Sequence, residues 1–164
     1  MDLKPRLETQ LKEAREFSEG LLTAFESPEQ WTRQLFPGAN HALWFAGHMS
    51  LVDNFIISLI APEKVREKPG FSERFGMGSK PTGDPADYPP PAEVLAHMRE
   101  RRQTLLGILA GLSEQDLEKP KKPGGPPFLT DVGSFFEMAI WHEGMHSGQV
   151  TMTRRSLGNA PVFA

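Results

Sequence analysis

Leu3, Leu7, Leu11, Ala14, Phe17, Leu21 and Phe25 recur every three or four residues, a spacing that predicts an amphipathic helix to about Glu26. Ser27-Pro28-Glu29-Gln30 reads as a fresh start, with Ser27 as N-cap, Pro28 at the first helical position and Gln30 closing a capping box. That short helix is expected to end near Phe36, before Pro37-Gly38. Asn40 is placed to cap the next helix, whose stripe carries Leu43, Trp44, Gly47, His48, Leu51, Phe55 and Leu59. From Pro62 to Pro91 seven prolines and the run FGMGSKPTGDP leave little room for regular structure. The stretch reads as a long connection, and Phe71, Phe75 and Met77 suggest that it packs on something, as a cover for the core or as a lid.

A third helix is expected from about Ala92 to Gly111, with Val94, Leu95, Met98, Leu105, Ile108, Leu109 and Leu112 at helical spacing. Ser113 to Leu117 adds a turn or two, and KPKKPGGPPF is a second breaker. The last helix runs from about Thr130 to Leu157, ended by Gly158 and then Pro161. No repeat and no convincing period-two alternation is visible. The economical architecture is all-α, four main helices around one core, in a single domain over residues 1–164.

Composition narrows the function classes. A net charge of -3 with scattered basic residues gives no support to nucleic acid as main partner. The short basic cluster of Arg99, Arg101 and Arg102 reads most simply as a solvated helix face. The opening MDLKPRLETQ lacks a signal-peptide core, and apolar runs such as Phe55 to Pro62 are too short to cross a bilayer, so a cytoplasmic protein is expected. With no cysteine, any metal ligand must be nitrogen or oxygen, and any thiol must come from outside.

The chemistry concentrates in WHEGMHSGQV, where His142-Glu143-Gly144-Met145-His146 spells His-Glu-x-x-His. Histidines four apart on a helix lie one turn above the other and can grip one cation. A zinc protease needs a third ligand downstream of that motif, and SGQVTMTRRSLGNAPVFA supplies no His, Cys, Asp or Glu. The third ligand must come from earlier in the chain. His41 and His48 stand about 10 Å apart along a helix, too far to share one ion. His41 beside the cap reads as a surface residue and His97 beside the arginines as partly exposed. His48 lies mid-helix in an apolar stripe, so a site of His48, His142 and His146 follows the way bundles place ligands in their interior.

HALWFAGHMS and WHEGMHSGQVTMTRR resemble the DinB-like superfamily of four-helix proteins, and FGMGSKPTGDPADYPP and LGNAP look like one of its branches. The resemblance implies a four-helix bundle with a long crossover between helices two and three. It also implies a divalent metal held by His48, His142 and His146, with zinc or nickel foremost and iron a third choice. Relatives in that superfamily include thiol-dependent transferases and isomerases. The resemblance thus points to a small-molecule substrate, a low-molecular-weight thiol as co-substrate, and a homodimer.

Three neutral imidazoles leave coordination positions open, which suits a thiol transferase or a hydrolase. Glu143, about 100° around the helix from His142, could serve as general base, orient a ligand histidine of the neighbouring helix, or face solvent. Gln149 either bonds near the site or serves packing, the simpler role. Arg154 and Arg155 suit a helix C-terminus, and Trp44, Phe135 and Met138 suit core packing near the histidines. The competing class is a non-catalytic protein with a structural ion, whose fourth position a protein ligand would close.

Overall fold

The computed structural model describes residues 2–121 and 126–163. The chain is all-α: among the described residues no strand forms, and a lone bridge joins Pro120 to Asp131. The helices are α1 (Leu3–Leu22), α2 (Pro28–Trp31), α3 (Ala42–Ile60), α4 (Phe71–Phe75), α5 (Pro91–Gly111), α6 (Glu114–Leu117) and α7 (Val132–Ser156). Part of the KPKKPGGPPF breaker, residues 122–125, lies outside the described residues.

Among the described residues, side-chain caps open four of the seven helices. Ser27 and Gln30 form the expected box at α2, Ser113 and Asp116 do the same at α6, and Asp131 and Ser134 at α7. Helix α1 has no side-chain cap of its own; instead Glu114 of α6 accepts the Leu3 and Lys4 N–H groups at 3.2 and 3.0 Å. Lys4 in turn donates to the Ala110 and Leu112 carbonyls near the end of α5.

Two apolar clusters fill the interior. One gathers Leu21, Leu22, Leu43, Trp44, Met49, Val94, Met98 and Val150; the other gathers Leu7, Leu11, Ile56, Ile57, Leu105, Leu109, Phe135, Phe136 and Ala139. Helices α1 and α7 therefore enter the second cluster with their N-terminal halves and the first with their C-terminal halves. Helices α3 and α5 do the reverse. Helix α3 is by length and composition apolar enough to span a membrane, but 67% of that window is buried inside this protein, where packing against its neighbours accounts for its hydropathy.

Several expectations need correction. Helix α1 stops at Leu22 rather than Glu26, because tight bonds from Ala24 and Phe25 back to Leu21 and Leu22 turn the chain into α2. Helix α2 ends at Trp31, short of Phe36. The cap of α3 is His41, not Asn40: its Nδ1 accepts the Trp44 N–H at 3.0 Å. His41 is also fully buried, packed edge-on against Tyr88, and His97 is buried against Phe71. The connection between α3 and α5 is less irregular than expected, since α4 and two single 3-10 turns interrupt it. Phe71 and Phe75 pack inward as anticipated, whereas Met77 is exposed.

The arginine cluster is the largest revision. Arg99 is exposed, but Arg101 and Arg102 are among the most deeply buried side chains. They tolerate burial because each guanidinium is matched: Arg101 by Asn54, the Lys64 carbonyl and Glu100, Arg102 by Asp53, Glu143 and the Leu11 carbonyl.

Candidate metal centre

His48 lies mid-way along α3, and His142 and His146 stack one turn apart on α7. The three rings converge: each offers one nitrogen, and all three nitrogens fall within 4.8 Å of one another. Nε2 of His48 stands 3.1 Å from Nε2 of His142. Two nitrogens bound about 2.0–2.1 Å from one tetrahedral ion sit about 3.4 Å apart, so His48 and His142 are already spaced for one small divalent cation, and a group spanning 4.8 Å needs only a small inward shift of its rings to hold the ion with all three. His48 and His146 are buried and His142 is half-buried, which leaves the cluster reachable from the His142 side.

Neighbouring groups orient two of the rings. Nδ1 of His48 lies 2.8 Å from the Phe75 carbonyl, an acceptor only, so the proton sits on Nδ1 and the Nε2 lone pair faces the cluster. Nδ1 of His146 lies 3.0 Å from Oε1 of Gln149, which also accepts from the Asn40 amide at 3.2 Å. Gln149 thus serves the site rather than only packing. Trp44 stacks on His48 with centroids 4.3 Å apart and planes 15° from parallel, while its indole N–H donates to Ser79.

Electrostatics keep the imidazoles neutral. Burial lowers His48 to about 4, with the neighbouring His146 and His142 adding to the effect and the Phe75 bond partly opposing it. Burial and the adjacent His146 bring His142 to about 4 as well, and burial lowers His146. Neutral nitrogens are what a cation needs, since a proton on the lone pair would block it.

Glu143 faces another way. It is fully buried, and its carboxylate accepts from Arg15 Nε at 2.7 Å, Ser18 Oγ at 2.6 Å and Arg102 at 2.6 Å. Arg15 and Arg102 also share Asp53. Burial alone would raise the Glu143 pKa, but the two guanidiniums outweigh it and hold the group below its ordinary value. Each of the four long helices contributes one charged group to this knot: Arg15, Asp53, Arg102 and Glu143. Phe135 and Met138 pack in the core cluster with Leu7 and Leu11, and Arg154 and Arg155 occupy the last turn of α7.

Sequence reasoning missed Asp53 and Arg15 as partners around Glu143 and the Phe75 carbonyl as the partner of His48. These contacts join segments far apart in the chain, and residue spacing gives no signal for them.

The family model that matches the chain is described as the DinB superfamily, and the match covers residues 10–150. The comparison with curated proteins finds no match.

Proposed function

The chain belongs to the DinB superfamily, and from that premise we propose that it is a metal-dependent enzyme of the thiol S-transferase or hydrolase type. His48, His142 and His146 would hold one divalent ion, zinc or nickel before iron. The observation that carries this reading is the convergence of three neutral imidazole nitrogens within 4.8 Å. The proposed architecture is a single-domain, DinB-like four-helix bundle of α1, α3, α5 and α7 with a long crossover between α3 and α5. Its support is that α3 and α5 present the same halves to the same apolar clusters.

A divalent ion bound there supplies positive charge that acidifies a water or thiol at its open position. The chain's own part is to keep three lone pairs aimed inward and to prevent a fourth protein ligand from closing the site. The carboxylate of Glu143 is engaged by Arg15, Ser18 and Arg102, which favours an anchoring role for it over that of a base or fourth ligand. Exposed Trp141, with its ring 5.5 Å from that of His142, gives the reachable side an apolar border suited to a small organic substrate. Because the chain has no cysteine, a thiol substrate comes from outside the chain, and the family reading makes it one of low molecular weight. A cytoplasmic homodimer without nucleic-acid or membrane partners completes the proposal.

The test is a screen of the metal-loaded and chelated protein with small thiols and electrophiles or ester substrates. Turnover only in the loaded form supports the reading. Collapse of helicity on chelation, without turnover in either form, favours a purely structural ion.

A further inference from the structure

Phe75 reaches the metal cluster through its backbone while its ring lies against α3. The ring is fully buried, set edge-on to Phe71 with centroids 5.0 Å apart and near Tyr88 at 5.7 Å. It rests on Gly47: a Cβ added at that position would overlap Cγ and both Cδ atoms of the ring. Gly47 is the residue immediately before His48, and the carbonyl of the same Phe75 accepts the His48 Nδ1 proton at 2.8 Å.

We propose that Gly47 is a positioning residue for the metal centre. By admitting the Phe75 ring against the backbone of α3, it seats the Phe75 carbonyl where it fixes the tautomer and rotation of His48. The segment between α3 and α5 is thereby the orienting half of the site. A second thread from that segment acts on the same ring, since Ser79 holds the Trp44 indole that stacks on His48. Glycine in a helix interior is unfavourable for the helix itself; Gly144 and Gly148 of α7 have open space around them, whereas at Gly47 the Phe75 ring leaves no room for a Cβ. Outer partners of ligand histidines set ring orientation and basicity, and their loss typically weakens metal binding about 10–100-fold.

The inference rests on the three-histidine reading, and its experiment separates the two. Zinc affinity is measured by competition with a chromophoric chelator for the unaltered chain, Gly47→Ala, and Gly47→Ala combined with Phe75→Leu, with helicity followed by circular dichroism. The account expects Gly47→Ala to remain helical and to bind zinc at least about 10-fold more weakly, and the smaller side chain at position 75 to restore much of the loss. A Gly47→Ala chain with unchanged zinc affinity overturns the proposal. Failure of the unaltered chain to bind zinc, nickel or iron overturns the metal reading instead. Should Gly47→Ala not fold, the imidazole nitrogen resonances of the unaltered apo protein decide: a His48 protonated on Nδ1 supports the bond to the Phe75 carbonyl on which the proposal stands, and one protonated on Nε2 overturns the proposal.

Discussion

Glu143 and Arg102 meet at 2.6 Å in the interior, with their side chains 0% and 2% exposed. The adjacent His142 points to a different face of the same helix, into the three-histidine cluster. One turn of α7 therefore does two jobs, anchoring the helix to α1 and α5 on one side and offering nitrogen on the other.

Removing that anchor is costly. Deleting one partner of a buried ion pair strands the other charge, at about 3–5 kcal/mol. Glu143→Gln is expected to lower unfolding free energy by about that much in urea titration. A general-base role would instead leave stability nearly intact and abolish turnover.

Gln149 is exposed, so its replacement should leave stability within about 0.5 kcal/mol. Its bond to His146 Nδ1 is the reason to expect a metal effect all the same. Gln149→Ala should weaken zinc binding about 10–100-fold in chelator competition, and an unchanged affinity would remove Gln149 from the site.

His41 caps α3 from within the core. His41→Ala loses both the cap, worth about 1 kcal/mol, and the ring's packing against Tyr88. His41→Asn retains a side-chain acceptor and should recover about 1 kcal/mol of the loss. Equal thermal midpoints for the two variants would show that the cap contributes nothing.

Acid sensitivity of the apo protein has a defined sign. Burial lowers His41, His48 and His142 to about 4, below the ordinary imidazole value, so between about pH 6.5 and 4 the unfolded chain binds more protons than the folded one. Folding stability is thus fully present above pH 6.5 and is lost progressively as pH falls toward 4. Urea midpoints of chelated protein should drop from pH 7 to pH 5; constant midpoints would contradict the burial of these rings.

What was legible in the sequence follows from locality. The His142 and His146 pair announces itself because helical spacing alone brings the rings together, and His48 stood out as the histidine inside an apolar stripe. Helices α5 and α7 were readable within two residues from periodicity and breakers, and the cap of α3 was placed one residue early. Contacts between distant segments were not. Arg101 and Arg102 sit in a charged run that looks solvated, and only the approach of Asp53, Glu143 and Asn54 from other helices makes their burial affordable. The same holds for His41, which is enclosed by the Tyr88 end of the connection, and for Phe75, whose carbonyl comes from 27 residues beyond His48.

The central claim is that one cation is shared by rings from α3 and α7. Elemental analysis of purified protein and its His48→Ala variant, both shown helical by circular dichroism, tests it most directly. The account predicts about one divalent ion per chain in the first and almost none in the second; a His48→Ala variant that keeps the full metal complement would contradict it.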